Sequence, residues 1–288
     1  MLEDFQQKRY ETWRDEKLAN YRAKPASLFV EINNPLQLSS AEKKAMTNNC
    51  RSNNLSFITV KPNGDIRGAI SSINAQLGLV DFDPHLCAEG DGLVVIEDTN
   101  APKKGGYVPY SNQALNWHTD GYYNQMDALV GAFSLYCIEP AIEGGENRWI
   151  DPEMLYIHFR ELNPDIIYAL SQVGALTIPE RREGDKITRE VSTGPVFFID
   201  RVSQKPKMRF TQRKRNIHWL QSTSLTDALD VLNNFLSSDS EIHHQYKLAA
   251  GEGLICNNVL HNRSAFADNT EQKRKLLRGR YINSVAEH

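Results

Sequence analysis

The apolar positions follow a helical period near the N-terminus and give way to short apolar runs further on. Residues 1–24 are strongly charged, with Phe5, Tyr10, Trp13, Leu18 and Tyr21 at roughly helical spacing. This spacing predicts one amphipathic helix, ended by Pro25. Leu28 to Ile32 predicts a short strand. Ser39 and Ser40, ahead of Ala41, Glu42, Lys43 and Lys44, predict a capped helix to about Cys50. Leu55 to Val60 is apolar and β-branched and predicts a strand, closed by a turn at Pro62, Asn63, Gly64 and Asp65; a helix over Ile66 to Leu79 follows.

From Leu93 onward strand signals dominate. Leu93 to Glu97 predicts a buried strand, Gly105-Gly106 and Pro109 a loop, Ala114 to His118 a short extended segment, and Asp127 to Ile138 a central strand. Gly144-Gly145 predicts a turn. Asp151 and Pro152 make a good helix start, and a second helix is expected over Pro164 to Val173. Residues 180–194 hold Arg181, Arg182, Lys186 and Arg189, two glycines and no apolar period, which predicts a long charged surface loop. Such loops are solvated excursions or lids over a site. Pro195 to Ile199 and Met208 to Thr211 read as strands and Leu225 to Leu236 as an amphipathic helix. The last strands are expected over Tyr246 to Ala249, Gly253 to Asn257 and Leu276 to Ile282.

Composition narrows the classes. Of 288 residues, 33 are basic and 36 acidic, for a net charge of −3. This balance argues against nucleic acid as a main partner. The basic segment Met208 to Trp219, with Arg209, Arg213, Lys214 and Arg215, reads as a strand and a solvent-facing loop, with Arg209 available to point into a pocket. Four cysteines, Cys50, Cys87, Cys137 and Cys256, form no C-x-x-C pair, against a zinc finger or thioredoxin-like site. Cys137 and Cys256 sit in apolar runs and read as buried reduced thiols, so a cytoplasmic location is expected. The first residues lack the apolar run of a secretory signal. No window holds the roughly 18 apolar residues that cross a bilayer, so no membrane partner is expected.

The candidate chemistry concentrates at His118-Thr119-Asp120. In an extended segment, residues two apart share a face, so His118 and Asp120 make a natural pair of adjacent ligands, with Gly121 marking the strand end. An H-x-D triplet alone is weak, because most are surface or capping residues. The best third ligand is His261, after the apolar run Gly253 to Cys256 and the turn-forming Asn257-Asn258. Two imidazoles and one carboxylate on one face of a metal, the other face open, is the arrangement of non-haem Fe(II) oxygenases. His85, His158, His218, His243, His244, His288 and Cys256 are not assigned to the metal, and His243-His244 reads as a helix end or strand start. On a strand, Arg274, Leu276, Arg278 and Arg280 share one face. Burying three arginines is costly without anionic partners, and a guanidinium suits a carboxylate through two parallel hydrogen bonds.

Four stretches then carry a family resemblance: Trp117 to Asp120, Glu143 to Asn147, His261 to Phe266 and Arg274 to Arg278. In this order, over roughly two thirds of the chain, they resemble the Fe(II)- and 2-oxoglutarate-dependent dioxygenases of the taurine dioxygenase, clavaminate synthase and γ-butyrobetaine hydroxylase group. The resemblance implies a mainly β fold with flanking helices, a double-stranded β-helix or distorted jelly roll. It implies one oxygenase domain over 1–288, with a helix-rich part over 1–90 and the catalytic core over 91–288. It implies iron ligands His118, Asp120 and His261, with O₂ and 2-oxoglutarate as co-substrates. Arg274 matches the arginine that holds the distal carboxylate of 2-oxoglutarate, and Arg278 one that contacts substrate or supports the first. One departure stands out. Asn147 replaces a threonine that commonly helps hold the co-substrate; it either donates through its amide or caps a turn.

The expected primary substrate is a small molecule. Asn116, Trp117, Tyr122 and Tyr123 flank the first two ligands and are candidates for the pocket mouth. Tyrosines suit an ammonium group, whereas Arg278 and the arginines of 180–194 suit an anion; an amino-acid-like or betaine-like zwitterion satisfies both. Two alternatives stand beside the oxygenase: a cupin-type metal enzyme without 2-oxoglutarate, and a non-catalytic binding or sensor module. The N-terminal helix is compatible with packing on its own domain or on a second copy in a homo-oligomer.

Overall fold

In the computed structural model, which describes residues 7–61, 64–84, 91–99 and 108–285, the apolar run Leu55–Val60 is a strand buried along almost its whole length. Both its edges are paired. It lies in a six-stranded sheet in the order Phe29–Ile32, Leu55–Val60, Glu252–Cys256, Ala132–Glu139, Lys275–Tyr281 and Leu93–Ile96. The first pair is parallel and the rest antiparallel. Phe5, Pro62, Asn63, His85, Cys87, the Gly105-Gly106 loop signal and His288 lie outside the described residues.

The chain falls into two compact units. One comprises Tyr21–Leu115, Val130–Trp149 and His244–His288, and the other Met1–Asn20, Asn116–Leu129 and Ile150–His243. Both are built from strands with flanking helices, so the fold is mainly β.

In the unit that carries the six-stranded sheet, alternate strand residues feed two cores. Ile58, Val60, Tyr136, Ile255, Leu277 and Tyr281 pack with Met46, Cys50, Ile70 and Ile73 of helices Ser40–Asn53 and Ile66–Gln76. Leu55, Phe57, Phe133, Cys137, Leu254 and Leu276 pack with Trp149, Leu248 and Val259. Each such aliphatic or aromatic side chain contributes about 1.5–3 kcal/mol on burial. Helix Ser40–Asn53 starts with a capping box between Ser39 and Glu42, which satisfies two otherwise unpaired N–H groups. Strand His244–Tyr246 pairs with Asn147–Ile150, so the tandem histidine stands at a strand start. Cys50, Cys137 and Cys256 are buried, and burial pushes the Cys50 thiol up to about 12.

In the other unit, helices Gln7–Asn20, Pro152–Leu162, Pro164–Leu170 and Thr223–Ser237 accompany short strands. Leu176–Ile178 lies between Ser192–Gly194 and His218–Trp219. Two expectations change here. The N-terminal helix runs over Gln7–Asn20 and does not bury a continuous apolar stripe: Tyr10 and Lys17 are buried, whereas Leu18 is 47% exposed. Lys17 is drawn in because its ammonium sits 2.6 Å from Asp151 and 3.1 Å from Glu153. Residues 180–194 are not a loop. Arg181–Glu183 and Lys186–Arg189 form an antiparallel hairpin, followed by strand Ser192–Gly194. Gly184 turns the hairpin at φ +61°, a conformation that glycine adopts at little steric cost. The ribbon is largely exposed on both faces, so no apolar alternation marked it in the sequence. Among the described residues no helix is long and apolar enough to cross a membrane.

Candidate metal centre

Strand Leu115–His118 is anchored on both sides of its last residue. The Trp117 indole N–H donates to the Leu236 carbonyl at 3.1 Å, and the Gln212 N–H donates to the Trp117 carbonyl at 2.9 Å. His118 bridges to Thr211. The strand stops there, short of the end expected at Gly121, and Asp120 opens a turn. Thr119 keeps that turn in place. Its N–H donates to the Phe210 carbonyl at 3.0 Å, and its hydroxyl accepts from the Phe210 N–H at 3.1 Å. His118 Nε2 and Asp120 Oδ1 end 3.6 Å apart, and both side chains are buried.

His261 stands on strand Leu260–Arg263, after a turn in which Asn258 takes φ +49°. The Asn258 amide donates to the Val130 carbonyl at 2.6 Å, and the His261 ring lies 4.7 Å from that of Phe133. The two imidazoles are held alike. His118 Nδ1 lies 2.8 Å from the Asn116 carbonyl, and His261 Nδ1 lies 2.8 Å from the Val259 carbonyl. A carbonyl only accepts, so each Nδ1 is the donor, and Nε2 of each ring is the nitrogen left for a metal. His118 and Asp120, in one unit, and His261, in the other, each offer one ligand atom. Two nitrogen donors and one carboxylate oxygen suit ferrous iron.

Arg274 is buried beside a pocket lined by Cys137, Pro140, Ala141, Gly145, Asn147, Lys247, Leu248 and Leu276. Its guanidinium lies 5.0 Å from the centre of the Phe266 ring, and burial pushes it down to about 10. Its Nη1 has no hydrogen-bond partner among the described residues. A buried donor left unmade costs about 1–3 kcal/mol, so this atom fits an incoming carboxylate. Asn147 opens strand Asn147–Ile150 and lines the same pocket. Gly144 holds the adjoining turn: it takes φ +69°, and a Cβ there would fall 2.0 Å from the Ala265 carbonyl oxygen. Arg278 and Arg280 are buried on the strand after Arg274, and Arg280 meets Asp83 at 2.7 Å.

The candidate substrate residues divide. Asn116 is exposed, and its carbonyl is taken by His118. Trp117 is buried. Tyr122 and Tyr123 are half-buried and pack edge-on at 5.2 Å. Arg209 does not serve a pocket. It is 1% exposed and gives its N–H groups to the carbonyls of Tyr122, Leu176 and Ser192 at 2.7–3.1 Å. Burial pushes it down to about 10. Arg263 was not singled out by the sequence. It is buried and donates to the carbonyls of Pro109, Ser111 and Gln113, ahead of the His118 strand. Its position two residues after His261 was the available signal.

Residues 70–280 match the family model described as taurine catabolism dioxygenase TauD, TfdA family. The chain belongs to this family, and it is an Fe(II)- and 2-oxoglutarate-dependent dioxygenase that uses O₂. No curated protein sequence matches it. Solved structures share the fold at low identity. An asparagine oxygenase in complex with Fe(II), 3-hydroxyasparagine and succinate is 14% identical, covers 98% of this chain and 92% of its own, and has a TM-score of 0.57. PvcB, an Fe, α-ketoglutarate-dependent oxygenase from an isonitrile synthetic pathway, is 15% identical over 88% of this chain and 85% of its own, with a TM-score of 0.58. A taurine dioxygenase from Burkholderia xenovorans is 14% identical over 88% and 86%, with a TM-score of 0.58.

Proposed function

We propose that the chain hydroxylates a small polar or zwitterionic metabolite, with release of succinate and CO₂. His118, Asp120 and His261 hold the iron, Arg274 and Asn147 hold 2-oxoglutarate, and Arg278, Tyr122, Tyr123 and Asn116 serve the substrate. The observation that carries this reading is the buried Arg274 guanidinium, whose Nη1 lacks a partner in the pocket it shares with Asn147. A cupin-type enzyme without a keto acid has no use for that donor. The family match and the oxygenase structures above support a double-stranded β-helix, acting as one domain over 1–288. The buried cysteines Cys50 and Cys137, which form no disulfide, support a cytoplasmic location. The reading requires no nucleic acid or membrane partner and is compatible with a homo-oligomer.

Iron, 2-oxoglutarate and O₂, when bound, supply the oxidising power that converts C–H to C–OH. The chain's own residues position and shield. The carbonyls of Asn116 and Val259 accept from Nδ1 of each histidine, which leaves Nε2 to bind the metal. Arg274 orients one end of the keto acid by charge and geometry. Thr119 and Trp117 fix the His118 strand, so that neither ligand has to be ordered when the metal arrives. In an oxygen-free titration with Fe(II) and 2-oxoglutarate, the wild type is expected to develop a visible charge-transfer band and His118→Ala none. A band retained in that variant refutes the ligand assignment.

A further inference from the structure

The cations of the exposed hairpin have unequal partners. Arg181 pairs with Glu183 at 3.0 Å, and Arg182 with Glu180 at 2.6 Å. Arg189 pairs with no carboxylate among the described residues. It gives one N–H to the Pro179 carbonyl at 2.9 Å and stands 5.7 Å from the centre of the Tyr123 ring, while its buried Nε finds no acceptor. Arg213 also meets no carboxylate among the described residues. Its Nη1 donates to the Tyr122 hydroxyl at 3.2 Å. Both arginines are close to the candidate ligands in the chain's path. Tyr122 follows Asp120 by two residues, and Arg213 follows by two the Thr211 that bridges to His118.

The pair is electrostatically unfinished. Burial, and then the charges of Arg213 and Arg181, push the Arg189 guanidinium below its ordinary value; the nearby phenols offset this in part. Like charges gathered at a half-buried place without a counter-ion cost free energy, and an incoming anion removes that cost. Arg209, in contrast, gives its N–H groups to the carbonyls of Tyr122, Leu176 and Ser192 and to the Ser192 hydroxyl.

We propose that Arg189 and Arg213, with the phenols of Tyr122 and Tyr123, form a subsite for an oxyanion group of the primary substrate, a carboxylate, sulfonate or phosphate. The proposal rests on reading His118 and Asp120 as metal ligands. It makes the substrate an anion or a zwitterion and excludes neutral lipophiles. Arg189 arrives on a hairpin and Arg213 on the segment that pins His118, so binding the anion joins a surface ribbon to the metal strand.

Trifluoroacetate, followed by fluorine NMR, serves as the probe on oxygen-free enzyme loaded with Fe(II) and saturated with 2-oxoglutarate, which occupies the pocket at Arg274. The wild type is expected to broaden the probe signal saturably. Arg189→Gln and Arg213→Gln each weaken the probe by about tenfold or more, with the visible band unchanged, while Lys214→Gln, at an exposed position, leaves probe binding intact. Unchanged probe affinity in both variants, or no broadening by the wild type at tens of millimolar, overturns the proposal. A wild type that binds the probe but shows no visible band overturns the metal assignment, and with it the link to substrate, so the two failures are distinct.

Discussion

Arg274→Met separates a binding role from a structural one, because the two predict opposite signs for stability. Burial pushes the guanidinium from its ordinary value down to about 10, a difference worth about 3 kcal/mol. A cation whose folded-state value is depressed destabilises the fold at neutral pH, where it is charged in both states. Cys137 and Asp268 offset little of this, and Nη1 has no acceptor. Replacing Arg274 by a methionine of similar reach removes the charge and keeps much of the packing. Contact with the Phe266 ring, about 1 kcal/mol, is lost. The ligand-free protein is therefore expected to gain about 1–2 kcal/mol, roughly a few degrees in Tm. 2-Oxoglutarate loses the partner of its distal carboxylate, at a cost of about 2–5 kcal/mol. Its affinity falls by at least about 30-fold. The assay is an oxygen-free titration of 2-oxoglutarate into Fe(II)-loaded enzyme at the visible band, with thermal unfolding of both proteins without ligand. An unchanged titration midpoint refutes the assignment. A drop of several degrees in the ligand-free Tm shows that Arg274 is held for the fold.

Two further substitutions test the scaffold. Lys17→Met leaves Asp151 and Glu153 buried without their cation and is expected to cost about 3–5 kcal/mol in urea unfolding. Adding Asp151→Asn and Glu153→Gln restores most of it, since asparagine keeps the helix cap; no recovery means that the triad is not the cause. Gly144→Ala places a Cβ 2.0 Å from the Ala265 carbonyl oxygen at φ +69°. It is expected to lose about 2 kcal/mol or more and to weaken 2-oxoglutarate, with metal affinity kept. Wild-type stability and keto-acid affinity in this variant rule out the strain argument.

The sequence alone determined the pieces whose cause is local. Leu55–Val60, Ile66–Gln76 and Thr223–Ser237 were legible because their apolar period and caps act within one element. The residue types of the centre, His118, Asp120, His261 and Arg274, were legible because few side chains perform that chemistry. Tertiary structure decided what depends on partners remote in sequence. It placed Lys17 inside through Asp151 and Glu153, 134 residues away in the case of Asp151. It turned residues 181–189 into a ribbon whose two exposed faces left no apolar alternation to detect. It also gave Arg209 to carbonyls and left Arg189 and Arg213 without carboxylates among the described residues. A guanidinium's sequence neighbours do not determine which acceptors reach it, because those acceptors are assembled only when the strands pair.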